Sequence, residues 1–134
     1  MQRSEILAKF NKHNILSTPQ RREVAEVLLE KAQHLSADQV IERLREAGST
    51  VSKATVYNSL NLFVERGLIR ECLVDPERRF YDSTTVAHHH FYNADTGELS
   101  DISGDAIELL GLPELPAGTR LEGAELIVRI RNSE

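Results

Sequence analysis

Three consecutive histidines, His88, His89 and His90, are the residues of this 134-residue sequence whose type and spacing most directly indicate chemistry. A turn signal at residues 94–97 follows them, and then a carboxylate, Asp101. In a β-strand, residues two apart share a face, so His88 and His90 point together and His89 points away. A turn centred within that signal pairs position 90 with position 101, which predicts Asp101 opposite His90.

The chemistry that such a cluster predicts is the binding of a divalent first-row metal. Asp82 lies six residues before His88, at the end of a predicted strand. Two imidazoles and two carboxylates suit Fe, Mn, Zn or Co better than Ca or Mg. The alternative is an exposed polar strand with unrelated histidines. The His-x-His spacing with a cross-strand aspartate favours the metal site.

A second segment, SKATVYNSLNLF at residues 52–63, is typical of a helix that reads DNA. Its apolar residues fall on one stripe. The stripe leaves polar side chains for the other faces, namely Lys53, Thr55, Tyr57, Asn58, Ser59 and Asn61. Asparagine can bond a base edge, threonine and tyrosine can contact a thymine methyl, and Lys53 and the helix N-terminus can hold phosphate. The alternatives are an ordinary amphipathic helix or a protein-interaction module, and nearby arginines favour DNA, namely Arg21, Arg22, Arg78 and Arg79.

The elements that must position these residues form two parts. Residues 6–67 have a helical pattern in four pieces, three of which begin at predicted N-caps, Thr18, Ser36 and Ser52. Strands at residues 68–74 and 79–82 follow as a β-hairpin. Three short helices followed by a hairpin predict a winged helix-turn-helix, with one extra helix in front.

In the second part, the residue pattern predicts paired strands at 90–92 and 99–102, a short helix at 105–110, and a last strand at 121–130. About 50 residues with few large apolar side chains are too few to be stable alone. Pairing with a copy of itself solves this, so a homodimer is expected. The predicted fold is α+β, with a winged-helix DNA-binding domain at 1–83 and a small α/β dimerisation and metal-sensing domain at 84–134.

Composition narrows the class of protein further. The single cysteine, Cys72, excludes an intramolecular disulfide and a cysteine-rich zinc site. No apolar run approaches the ~18 residues of a membrane span, and the N-terminus has no apolar signal core. A cytoplasmic protein without membrane contact is therefore expected. The net charge is -5, but 13 of the 16 Lys and Arg residues lie in residues 1–82, where DNA would bind.

Five segments, in order along the chain, resemble the ferric uptake regulator (Fur) family: TPQR at 18–21, QHLSAD at 33–38, SKATVYNSLNLF at 52–63, GLI at 67–69, and HHHF with GELSD within 88–101. The resemblance implies a dimeric, metal-responsive transcription factor. It also implies a regulatory metal site at His34, Asp82, His88, His90 and Asp101. His34 enters only through the resemblance, because by itself it is an interhelical histidine. An aspartate at position 82 is similar to the peroxide-sensing (PerR) branch.

The sequence departs from the family pattern in its cysteines. Many members hold a structural zinc with two Cys-x-x-Cys pairs, but here the first pair's positions are Asn93 and Thr96 and the tail has none. No structural zinc held by four cysteines is expected. These departures and the HHHFY run resemble the iron-response regulator (Irr) branch, which senses iron through haem. A second metal site of the family is matched only by His89 and Glu108.

Three functions compete at this point. The first is a metal- or haem-responsive repressor that binds a double-stranded DNA operator as a homodimer. The second is a metal-dependent enzyme, since a His/Asp cluster could activate water. Five ligands would fill the coordination sphere, and no separate general base stands near the block, so no enzyme is expected. The third is a DNA-binding dimer whose histidines are purely structural. The sequence leaves two questions open: which metal is bound, and whether the signal is iron, haem or peroxide.

Overall fold

The computed structural model describes residues 1–75, 77–84 and 88–133, with the backbone alone at 75, 78 and 104. The chain divides into two compact units, Met1–Thr85 and Val86–Glu134. The first unit contains α1 (Arg3–Lys12), α2 (Pro19–Leu29), β1 (His34–Ser36), α3 (Ala37–Glu46), α4 (Lys53–Glu65), β2 (Arg70–Asp75) and β3 (Arg78–Asp82). The second contains β4 (His89–Asn93), β5 (Leu99–Ile102), a 3₁₀ turn (Gly104–Ala106) and β6 (Ile127–Ile130). None of the helices formed by the described residues is long and apolar enough to cross a membrane.

Three helices of the first unit begin at the hydroxyl residues that the sequence predicts, Thr18, Ser36 and Ser52. Each side-chain oxygen accepts a hydrogen bond from the backbone N–H three residues further on. At Ser36 the Gln39 side chain completes a capping box. Gly67 follows α4 with a φ of 78°, a conformation that favours glycine and ends the helix. Local signals therefore fix where these helices start and stop.

The core of the first unit joins all four helices. Its most deeply buried side chains come from each of them: Ile6, Phe10, Val24, Leu28, Val40, Leu44, Val56, Leu60 and Phe63. The rings of Phe10 and Phe63 lie 5.5 Å apart between centroids. The extra helix α1 therefore packs against the predicted reader helix α4 instead of standing apart from the winged-helix core.

A three-stranded antiparallel sheet, in the order β1-β3-β2, completes the first unit. The β2–β3 hairpin is the predicted wing, and its register is irregular between Leu73 and Asp75. Strand β1 pairs with β3 so that His34 stands opposite Asp82. His34 does lie between two helices, α2 and α3, but in a short strand that the sequence interpretation did not predict. With three residues, β1 is too short for an alternating pattern to reveal it.

The second unit is a sheet in the order β5-β4-β6, with β5 antiparallel and β6 parallel to the central β4. The β4–β5 register places His90 opposite Asp101, as the turn position predicts. Asn93 fixes that turn, because its side-chain oxygen accepts hydrogen bonds from the N–H groups of Asp95 and Thr96.

Two predicted elements of the second unit are wrong in extent. Residues 107–110 form no helix, and the last strand covers 127–130 rather than 121–130. Leu109 and Leu110 are 49% and 80% exposed, so within this chain a helix there would have no apolar surface to pack against. Leu126 and Ile130, two of the alternating apolar residues of the predicted last strand, are also exposed and so are not buried within one chain.

Candidate metal centre and nucleic-acid interface

The first pair of metal-ligand candidates, His34 and Asp82, lies on neighbouring strands of the first unit. Nε2 of His34 is 3.6 Å from Oδ2 of Asp82. The other carboxylate oxygen, Oδ1, accepts a hydrogen bond of 2.8 Å from the backbone N–H of Thr84. Both side chains are largely buried. The bond to Thr84 orients the carboxylate so that Oδ2 is the oxygen directed at the imidazole, which is an arrangement suited to a shared metal ion.

The second set of candidates, His88, His90 and Asp101, converges on one atom in the second unit. Nε2 of His88 is 2.9 Å and Nε2 of His90 is 3.4 Å from Oδ1 of Asp101. The two imidazole rings are 4.4 Å apart between centroids. One ligand atom from each of the three residues lies within 4.8 Å of the others. Asp101 is half exposed whereas His90 is 2% exposed, so the cluster has a buried side and an open side.

Two imidazole nitrogens directed at one carboxylate oxygen have two chemical explanations. One imidazole could donate a hydrogen bond to Asp101, which would be a structural role. Alternatively, all three donors could surround a cation, because neutral imidazole nitrogens and carboxylate oxygens are ligands for divalent first-row metals. The donor set and its compactness fit such an ion.

The candidates for a second metal site, His89 and Glu108, are not similarly grouped. Nδ1 of His89 accepts a hydrogen bond of 2.8 Å from the backbone N–H of Leu126. The His89 side chain is buried, whereas Glu108 is exposed. Among the described residues, no group of three or more potential metal ligands includes either of them. His89 therefore has a structural role in joining β6 to β4, and a second site stays a prediction.

Tyr81 is a buried phenol on β3, directly before Asp82 in the chain. Its side chain is 1% exposed. Burial raises the pKa of the Tyr81 phenol above its ordinary value, and a hydrogen bond with Arg79 opposes that rise. The phenol is therefore neutral at physiological pH.

Helix α4 presents most of the predicted DNA-contacting side chains to solvent. Lys53, Tyr57 and Asn58 are exposed, and Thr55 is half buried. Ser59 is 3% exposed, so its assignment to the polar faces is wrong. It lies three residues after Val56, which puts it on the buried face of the helix.

Several of the predicted DNA-contacting residues line two concavities of the first unit. Arg21, Thr55 and Asn58 line one of about 240 Å³, where Arg21 also donates a 2.7 Å hydrogen bond to the carbonyl of Leu16. Tyr57 lines another of about 520 Å³, beside Arg79 and Tyr81 of the wing. Lys53 lies at the start of the same helix. The side chain of Arg78, another predicted contact, lies outside the described part of the chain.

The structure adds contacts that the sequence interpretation missed. Thr84 orients Asp82 through its backbone N–H, and Leu126 holds His89 in the same way. An aspartate that accepts a hydrogen bond from the residue two positions on is a recurrent turn, so Asp82-Ser83-Thr84 could have been recognised. The Leu126 contact joins residues far apart in the chain, and no local signal predicts it.

The family model and the curated relatives that match this chain agree with each other. The family model described as "Ferric uptake regulator family" matches residues 12–127. The peroxide operon regulator of Bacillus subtilis (strain 168) is 31% identical over 97 residues, which are 72% of this chain and 67% of that protein. The first curated relatives matched are covered over 65–67% of their own length.

Solved structures resemble the chain over almost its whole length. The ferric uptake regulator of Pseudomonas aeruginosa, determined with manganese, is 25% identical with a TM-score of 0.70, and the match covers 95% of this chain and 97% of that one. The ferric uptake regulator of Vibrio cholerae is 24% identical with a TM-score of 0.76, covering 93% and 98%. At that identity the second likeness shows the α+β fold alone.

Proposed function

The chain belongs to the ferric uptake regulator family, and from that membership we propose that it is a metal-dependent transcriptional repressor. It binds double-stranded DNA operators as a homodimer in the cytoplasm and is not an enzyme. One observation carries the proposal: two imidazole nitrogens converge on Asp101 Oδ1 in a chain that also exposes Tyr57 and Asn58 on a helix of the DNA-reading type.

The regulatory ion is held by one ligand set, consisting of His34, Asp82, His88, His90 and Asp101. The geometry of each pair or triad, described above for its own unit, supports this set. So does the resemblance, which implies these five positions. The ion is Fe, Mn or Zn, because imidazoles and carboxylates together suit these metals. The manganese in the Pseudomonas aeruginosa regulator is in keeping with that class of ion.

The signal is iron status or peroxide. Asp82 resembles the residue of the peroxide-sensing (PerR) branch, and two relatives of the chain are named "Peroxide-responsive repressor PerR" and "Peroxide operon regulator". Ferrous iron, when bound, would supply the reduction of peroxide at the site, with oxidation of a ligand histidine as the result. The resemblance to the iron-response regulator (Irr) branch gives the second candidate, in which haem is the signal and histidines of the run His88–His90 would hold it.

The homodimer forms through the second unit and needs no zinc held by four cysteines. Exposed leucines between the 3₁₀ turn and β6 supply an apolar surface, namely Leu109, Leu110, Leu112, Leu115 and Leu121. Polar contacts hold the turn at the positions where the family resemblance implies cysteines: Asn93 Nδ2 donates to Asn132 Oδ1 at 2.8 Å, and Arg131 pairs with Asp95 at 2.8 Å.

Coupling between metal and DNA follows from where the ligands lie in the chain. His34 and Asp82 belong to the DNA-reading unit, and the other three ligands belong to the dimerising unit. An ion held by all five restricts the orientation of each reader in the dimer, which must present its two α4 helices to successive half-sites. Metal that binds this form better shifts the population toward it by its differential affinity.

The test compares Asp101→Ala with the matched control Asp105→Ala, since both are exposed aspartates of the second unit. DNA sites are first selected from random double-stranded DNA with Mn²⁺-loaded protein. Operator affinity is then measured with Mn²⁺ and with a chelator. We expect Mn²⁺ to raise the affinity of wild type and Asp105→Ala but not of Asp101→Ala. Equal wild-type affinity with Mn²⁺ and with chelator would overturn the proposed function.

A further inference from the structure

The side-chain amide of Gln33 connects two helices of the first unit. Its Nε2 donates hydrogen bonds to the carbonyls of Val27 at 2.8 Å and Leu28 at 3.2 Å. These carbonyls belong to the last turn of α2, where no intrahelical donor is available. Its Oε1 accepts a 2.6 Å bond from Arg43 of α3, strengthened by the charge of the guanidinium. One side chain therefore fixes the end of α2 against α3.

The backbone of Gln33 is joined to Ser83. The N–H of Gln33 donates to Ser83 Oγ at 3.1 Å, and the N–H of Ser83 donates to the carbonyl of Gln33 at 3.2 Å. Ser83 Oγ also donates to the carbonyl of Lys31 at 3.2 Å. These contacts extend the β1–β3 pairing by one residue beyond the opposed pair of His34 and Asp82.

Each metal-ligand candidate of the first unit is thus the chain neighbour of a residue in this network. Gln33 precedes His34, and Ser83 follows Asp82. We propose that Gln33 is a positioning residue that links the His34–Asp82 pair to α2 and α3 and carries the effect of bound metal to the DNA-reading helices. This inference rests on the proposed function.

Rigid elements connect the His34–Asp82 pair to the helices of the first unit. A metal that draws His34 and Asp82 together acts on β1 and β3, where the backbone of Gln33 is anchored. Its amide passes that constraint to the end of α2 and to Arg43 of α3. Helix α4 packs against both helices in one core, where Val24, Val40 and Val56 are each 0% exposed. If β1 and β3 have two discrete arrangements, a change between them would therefore be transmitted through α2 and α3 to the reader helix α4.

The matched pair for the experiment is Gln33→Ala and Gln39→Ala. Gln39 is the same residue type, and its Oε1 accepts a 2.9 Å bond from the N–H of Ser36. Removing the Gln39 side chain breaks the capping box of α3 and so lowers stability, but it leaves the contacts of Gln33 and Ser83 in place. Operator affinity is measured for each with Mn²⁺ and with chelator, and the ratio of the two gives the stimulation by metal.

We expect Gln33→Ala to lower that ratio by about 2- to 30-fold, the range that residues along a coupling network show. Its affinity in chelator should equal that of wild type, and Gln39→Ala should keep the wild-type ratio. Gln33→Glu should lose stimulation as well. It keeps an acceptor for Arg43 but places a carboxylate against two carbonyls.

Several outcomes decide the inference. Full stimulation in Gln33→Ala would overturn it while leaving the proposed function standing. An equal loss in Gln33→Ala and Gln39→Ala would assign Gln33 a merely structural role and would also overturn it. Absence of stimulation in wild type would overturn the proposed function and this inference together. Should Gln33→Ala fail to fold, Ser83→Ala removes the hydroxyl contacts at the other end of the network and tests the same ratio.

Discussion

His90 is the residue on which metal control is expected to depend most. Its side chain is 2% exposed, and Nε2 lies 3.4 Å from Asp101 Oδ1. His90→Ala removes a ligand but leaves the backbone hydrogen bonds of β4, so the dimer should persist. We expect operator binding that no longer responds to Mn²⁺, measured by fluorescence anisotropy. A dimeric His90→Ala protein that still binds DNA in a metal-dependent way would place the control site elsewhere.

His89 is expected to act as a hydrogen-bond acceptor and not as a metal ligand. His89→Ala leaves the N–H of Leu126 without its acceptor, at a cost of about 1–3 kcal/mol in the free energy of unfolding. In His89→Asn the amide oxygen can replace Nδ1, so chemical denaturation should show a smaller loss. The number of Mn²⁺ ions bound should be the same in both variants and wild type. A lower number in His89→Asn would show that the imidazole is a ligand after all.

Tyr57 and Asn58 are expected to read bases in an inverted-repeat, A/T-rich operator. Each alanine substitution should weaken operator binding by about 1–3 kcal/mol at fixed salt, while binding to unrelated DNA changes little. Glu65→Ala, at the far end of the same helix, should not weaken it. If both alanine variants bind the operator like wild type, α4 is not the reader.

Single residues also show which parts of the candidate site local sequence rules predict and which they do not. The positions of His90 and Asp101 follow from strand alternation and one turn, which are local rules. The approach of His34 to Asp82 depends on β1 pairing with a strand that lies almost 50 residues further along the chain. No pattern in three residues predicts that pairing, so only the family resemblance supplied His34.

Among the elements, the helices of the first unit are predictable because each has its own start signal and its own apolar stripe. The predicted helix at 105–110 and strand at 121–130 lack such support within the chain. Their leucines are exposed, and an amphipathic pattern becomes a helix or strand only where something covers its apolar face. The dimer proposed above would supply that cover.

The contribution of the N-cap of α4 to stability can be tested by substitution. Ser52 Oγ accepts a hydrogen bond from the N–H of Thr55, one of the predicted DNA contacts. Ser52→Ala should lower the free energy of unfolding by about 1 kcal/mol, and Ser52→Asp should restore most of it. Thermal unfolding of both variants measures this. Equal stability of wild type and Ser52→Ala would show that the cap contributes nothing.

At the scale of the whole molecule, the exposed leucines predict self-association. The protein should sediment as a dimer at micromolar concentration. The dimer should form with metal and with chelator alike, because it does not depend on a zinc ion held by cysteines. Leu110→Glu should produce monomers, since Leu110 is 80% exposed in one chain and would be covered in the dimer. Leu16→Glu is the matched control, because Leu16 is 77% exposed in the first unit. A stable wild-type monomer would contradict the prediction.

The parallel pairing of β6 with β4 has a consequence for the order in which the molecule can be completed during translation. Strand β4 carries His90, whose backbone N–H donates to the carbonyl of Leu126 just before β6. Chains fold from the N-terminus as they leave the ribosome. The DNA-reading unit is therefore finished while β4 still has an unpaired edge. A polypeptide interrupted between β5 and β6 would carry a complete reader and an unfinished dimerising unit, so truncated products would meet an operator as single, weakly bound readers that do not respond to metal.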